Sequence, residues 1–133
     1  MNFLSFLFAI FLGTLAGTFT GLFPGIHINL ISAILLQTFS QTPLNFSLFL
    51  VIFITSMSIT HTFIDYIPSI FLGAPDSDTV FSVLPGHKFL LKGHAHYAVI
   101  LTLYGSLTAL LIIILFTPLF ILILPPSYPY IKS

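Results

Sequence analysis

Two groups of residues in this chain have the types and spacing to do chemistry. The first is the stretch Gly73 to His96, which holds Asp76, Asp78, Lys88 and Lys92, four of the six charged residues, and three of the five histidines. Asp76 and Asp78, with backbone carbonyls, have the hard oxygen atoms that hold a cation such as Na⁺ where a membrane helix unwinds. The same Asp76-Ser77-Asp78-Thr79 run has the residue types that cap a new helix, and that alternative stands beside the first. The second group is His61 and Asp65, four apart in an apolar run. On a continuous helix they share a face, and an ionisable pair inside a membrane segment is a candidate for proton or ion handling. Pro68 leaves open the other reading, a helix end exposed to water.

A third feature is a break rather than a charge. Phe23-Pro24-Gly25-Ile26-His27-Ile28-Asn29 follows an apolar run, and proline and glycine together should interrupt the helix there. A half-helix starting near Gly25 directs unbonded N–H groups and a positive dipole end at the break, which suits a carboxylate, with His27 and Asn29 adding donors. A Pro-Gly turn at the membrane surface is the alternative. Leu84-Pro85-Gly86-His87-Lys88 repeats the residue types of this break. His87, His94 and His96 could be pictured around zinc, but solvated loop histidines is the preferred reading, because neither Cys nor a further carboxylate lies near. No metal or other cofactor is expected, apart from a coupling ion, Na⁺ or H⁺.

The elements that must position these residues follow from composition. Of 133 residues, 57% are hydrophobic and 5% charged, with a mean hydropathy of +1.15. Soluble domains carry about 25% charged residues, so the chain is an all-α integral membrane protein. Net charge is zero and cysteine is absent, which points away from nucleic acid and removes disulfides and thiolate metal sites. At about 20 apolar residues per crossing, the length allows about three spans. We place them at approximately 3–23, 46–72 and 97–124, with a short helix or re-entrant piece over 26–40 and a polar loop over 73–96. Broken or re-entrant half-helices are expected at Pro24-Gly25 and at Gly73-Pro75, and the proline-rich tail after Leu124 is expected to be non-helical. The whole is read as one multi-pass domain of the cell membrane.

Gly13, Gly17 and Gly21 recur at spacings of four within the first span, on one face. In lipid, a groove of small residues lets another helix approach closely, so this is a helix-packing face.

In order along the chain, Gly17-x-x-x-Gly21-x-x-Pro24-Gly25, a polar patch before Ile70-Phe71-Leu72-Gly73-Ala74-Pro75, and Leu84-Pro85-Gly86-His87-Lys88-x-x-x-Lys92-Gly93 resemble the large membrane subunit of the tripartite tricarboxylate transporters. The wording is closest to archaeal members, with their Pro-Gly-Ile-His-x-Asn and Ala-Pro-Asp-x-Asp-Thr stretches, and the likeness covers most of Gly13 to Val99. The resemblance implies uptake of small carboxylates driven by an ion gradient, with a soluble substrate-binding protein and a small membrane subunit as partners. It implies that Pro24, Gly25, His27 and Asn29 form one wall of a substrate site, and that Gly73, Pro75, Asp76, Ser77, Asp78 and Thr79 form the other. The chain departs from that pattern at His94-Ala95 and His96-Tyr97, where Arg-Gly and an acidic residue are usual. Family members are several times longer and built from two related halves. The chain is therefore expected to work with the rest of a permease or with copies of itself. Two other readings remain: a truncated membrane protein that transports nothing, and a membrane metal enzyme using His61 and Asp65.

Overall fold

The computed structural model describes residues 1–74 and 80–131, and among them there are six helices and no strand. Helix α1 is Phe3–Leu22, α2 Ile28–Thr38, α3 Leu44–Ile64, α4 Tyr66–Leu72, α5 Val80–Leu91 and α6 Ala95–Ile131. Among the described residues, three stretches are long and apolar enough to cross a membrane: Phe3–Leu22, Phe46–Leu72 and Ala95–Pro125.

Proline dictates where α1 stops. A residue before proline is pushed out of the helical region, and Phe23, before Pro24, is extended at φ −103°, ψ 105°. Gly25 then takes φ +87°, a left-handed conformation that glycine adopts without steric cost. Helix α2 follows, about 16 Å long and too short to cross a bilayer alone. Its place is settled by the register of its neighbours. Gly13 faces Phe53 to Met57, Gly17 faces Met57 to His61, and Gly21 faces His61 to Ile64, so α1 and α3 run parallel. Residues 23 to 43 must then return along the length of that pair. A short helix with non-helical pieces at both ends makes the return.

Between α3 and α4 the helical column is interrupted at one residue. Pro68 has no N–H for the carbonyl of Ile64, four residues before it, and Asp65 sits at that defect. Yet Asp65 keeps helical angles, donates its N–H to His61 O at 2.9 Å, and accepts from Ser69 N–H at 3.2 Å. His61 and Asp65 therefore lie on one face across the interruption between α3 and α4. Helix α4 stops at Gly73, left-handed at φ 65°, where Ala74 N–H reaches back to Ser69 O at 3.3 Å.

Two expectations give way. The stretch 73–96, read as a polar loop with a break at Pro85-Gly86, contains the twelve-residue helix α5 running through Pro85. Tertiary packing explains it. Val83 is fully buried with Ile70 and Ala98, and Gly86 lies so close to Ile70 that an added Cβ would meet its side chain at 3.0 Å. The one bond that Pro85 removes belongs to the carbonyl of Phe81, whose side chain is 92% exposed at the outer end of α5. The second correction is the tail: α6 continues through Pro118, Pro125, Pro126 and Pro129 to Ile131. Proline's fixed φ is itself helical, and residues 111 to 125 are exposed on all sides, so no packed neighbour resists the bend a proline ring demands. The turn before α6 is closed by Gly93 at φ 81°, with His94 N–H bonded to Phe89 O at 2.8 Å.

Candidate functional site

The close contact between α1 and α3 is where side-chain chemistry is buried. A Cβ on Gly17 would collide with the carbonyl oxygen of Met57, and would lie 2.8 Å from Thr60 Cβ and 3.1 Å from His61 N. Gly13 stands in the same relation to Phe53 and Ser56, and Gly21 to His61 and Ile64. With bare backbone at these positions, the helices come near enough for Thr20 on α1 to touch His61 on α3. Thr20 Oγ1 and His61 Nδ1 are 3.0 Å apart, and both residues are buried. Thr20 Oγ1 also donates to Gly17 O at 3.2 Å. On the other side of the ring, His61 Nε2 lies 4.0 Å from Asp65 Oδ2. Thr20, His61 and Asp65 thus form one polar cluster between two apolar helices.

The Pro24-Gly25 turn follows this cluster in the chain, four residues after Thr20 and just beyond the end of α1. Pro24, Gly25, His27 and Asn29 are all exposed. His27 is the N-cap of α2; its carbonyl accepts from Leu30 and Ile31 N–H at 3.1 and 3.3 Å, while its side chain makes no cap bond. The first N–H groups of α2 therefore have no partner within the helix.

At the far end of α4, Gly73 is held by an unforeseen partner. His87 Nδ1–H donates to Ile70 O at 2.7 Å, and its ring packs where a Gly73 Cβ would be, at 2.9 to 3.0 Å. The half-buried His87 is thus a helix-end cap rather than a solvated loop residue. His94 and His96 are exposed, and among the described residues no three His, Cys, Asp or Glu side chains group to hold a metal. Pro75, Asp76, Ser77, Asp78 and Thr79 lie outside the described residues, and with them the second wall of the expected substrate site.

Sequence reading missed Thr20 and the role of His87. Thr20 carried a signal: it sits beside Gly21 and three residues after Gly17, on the small-residue face. His87 carried none, since its partner is a backbone carbonyl seventeen residues away. A cleft of about 670 Å³ also opens between α3 and α6 over α5, with Ser58, Thr62, Tyr66, Thr102 and Ser106 among otherwise apolar lining residues.

Residues 7–131 match the family described as "Tripartite tricarboxylate transporter TctA family". An uncharacterized protein of Methanocaldococcus jannaschii is 46% identical over 96 residues, which is 71% of this chain and 23% of that protein. The chain thus spans about a quarter of the length of that relative. No solved structure matches it. With nearly its whole length matched and its apolar helices in place, the chain belongs to the tripartite tricarboxylate transporter TctA family.

Proposed function

We propose that this chain is a multi-pass portion of a cell-membrane permease for small carboxylates, driven by an ion gradient of Na⁺ or H⁺. It works with the remaining permease, or as an oligomer of itself, alongside a soluble substrate-binding protein and a small membrane subunit. The observation that carries the reading is the family match over residues 7–131. The geometry supports a place for the substrate. At the Pro24-Gly25 turn, α2 begins with unbonded N–H groups and an uncapped His27, an arrangement that favours an anion by hydrogen bonding and helix dipole together. No Arg is present to grip a carboxylate with two parallel bonds, so recognition rests on backbone N–H groups, His27, Asn29 and residues 73–79, with modest affinity.

The test is the mass of the detergent-purified chain, expressed with and without its genomic neighbours, followed by binding of a panel of di- and tricarboxylates. A defined oligomer or heteromer that binds one of them is the expected result. Gly25→Val should weaken that binding at least tenfold while leaving membrane insertion intact. Gly25 is at φ +87° with nothing within 4 Å of an added Cβ, so valine acts through the backbone alone, at about 1–2 kcal/mol, by pulling the turn out of its left-handed conformation. Polydisperse material that binds none of the panel in any combination, or unchanged binding in Gly25→Val, would overturn the proposal.

A further inference from the structure

We infer that the cleft between α3 and α6 seats a membrane-spanning helix of the remaining permease, whose backbone crosses α6 at Gly105. The inference rests on the proposal that this chain works with the rest of a permease. Gly105 is the observation that singles out a helix. Among the described glycines inside helices, Gly13, Gly17, Gly21 and Gly86 each have a neighbour 3.0 Å or less from an added Cβ, whereas Gly105 has nothing within 4 Å. Glycine weakens a helix interior, and the helices of this chain otherwise carry it where another element comes close. Gly105 lines the cleft with Ala98, Thr102 and Ala109, at spacings of four, three and four along one face of α6. Small residues so placed let a second backbone approach, as they do between α1 and α3. A flexible lipid tail fills a cleft whatever its floor and needs no bare backbone there.

The cleft has the length and the chemistry for such a partner. Along α6 it runs from Ala98 to Ile113, about 22 Å, most of a bilayer core of about 30 Å. No Asp, Glu, Lys, Arg or His lines it. The hydroxyls of Thr62 and Thr102 donate to Ser58 O and Val99 O at 2.9 Å, inside their own helices, so neither donor needs a polar partner in the cleft. Two lining residues, Phe81 and Leu101, are 92% and 58% exposed, large apolar side chains that this chain leaves uncovered. On α3, Phe53, Met57, Thr60 and His61 lie against the glycines of α1, while Ser58, Thr62 and Tyr66 beyond them line the cleft. The incoming helix thus takes the side of the α3–α4 column that α1 leaves open. The family supplies the chain to fill it: the stretch shared with the Methanocaldococcus jannaschii relative is 23% of that protein, so most of its length lies outside the shared part.

The experiment uses the whole chain, co-expressed with its genomic neighbours and purified in lipid nanodiscs. The chain has no cysteine, so Leu101→Cys places a sole thiol on the cleft, to be labelled with a small diazirine-bearing reagent and photolysed. The expected adduct joins that thiol to an apolar segment of a second chain that matches the same family. Gly105→Leu should lower co-purification of that second chain at least tenfold, with Gly105→Ala between. Nothing lies within 4 Å of the added Cβ, so Gly105→Leu leaves the fold of this chain intact, as unchanged helical circular dichroism of the chain alone would verify. A label found only on lipid, or wild-type co-purification in Gly105→Leu, overturns the inference and leaves the proposed function standing. An adduct with a second copy of this chain overturns it in favour of self-association. If no chain of the family co-purifies with the wild type, the inference falls together with the reading of a shared permease.

Discussion

Gly17→Leu is expected to unfold the α1–α3 pair at markedly lower denaturant than wild type, with a loss of about 3 kcal/mol, the upper end of what overpacking a tight interface costs. The obstacle is backbone: the new Cβ would overlap the Met57 carbonyl and press on Thr60 Cβ at 2.8 Å, and neither can swing aside as a side-chain tip would. The helices must separate, and separation breaks the Thr20–His61 bond as well. Gly105→Leu is the internal control, because nothing lies within 4 Å of its added Cβ and leucine suits a helix better than glycine does. It should be neutral or slightly stabilising. Equal unfolding of the two variants in mixed-micelle titrations would mean that the glycine face does not hold the pair.

That glycine face shows how far the sequence could be read. Apolar length and the Pro24 break are local properties, and the all-helical membrane class with its broken first helix follows from them because proline and hydrophobic run length act on the chain wherever it sits. Parallel register is not local. Gly13, Gly17 and Gly21 mark a face but do not say that His61 lies opposite Thr20, forty-one residues on. The persistence of α5 through Pro85 is likewise decided by Ile70 and Ala98, residues on other helices, against the local preference of Pro-Gly. The tail of α6 errs in the same direction: counting prolines estimates the bonds lost, and overlooks that an unconstrained helix can bend around the rings. At the candidate site, residue type marked His61, Asp65 and the break; the buried contact that ties His61 to α1 depends on Thr20, whose hydroxyl would pass for one more small residue in a membrane helix.

Gly73→Val should disrupt the end of α4 and, with it, the carboxylate binding proposed above. Two separate costs meet at this position. At φ 65° a β-branched residue pays about 1–2 kcal/mol to stay left-handed. Its Cβ would also stand 2.9 Å from His87 Nε2, displacing the ring whose other nitrogen holds Ile70 O, a bond worth about 1 kcal/mol. The sum, about 2–3 kcal/mol, falls on the end of α4, just before Asp76 and Asp78 in the sequence. The two costs can be separated. Gly73→Ala in a His87→Ala background removes the clash and keeps most of the backbone strain, so a double-mutant cycle between the positions should show a coupling of about 1 kcal/mol. Substrate binding lost in Gly73→Val and partly restored when His87 is shortened would place the cause in the clash with the ring. Additive effects of the two substitutions would mean instead that His87 and Gly73 act independently, leaving backbone strain alone to explain the loss.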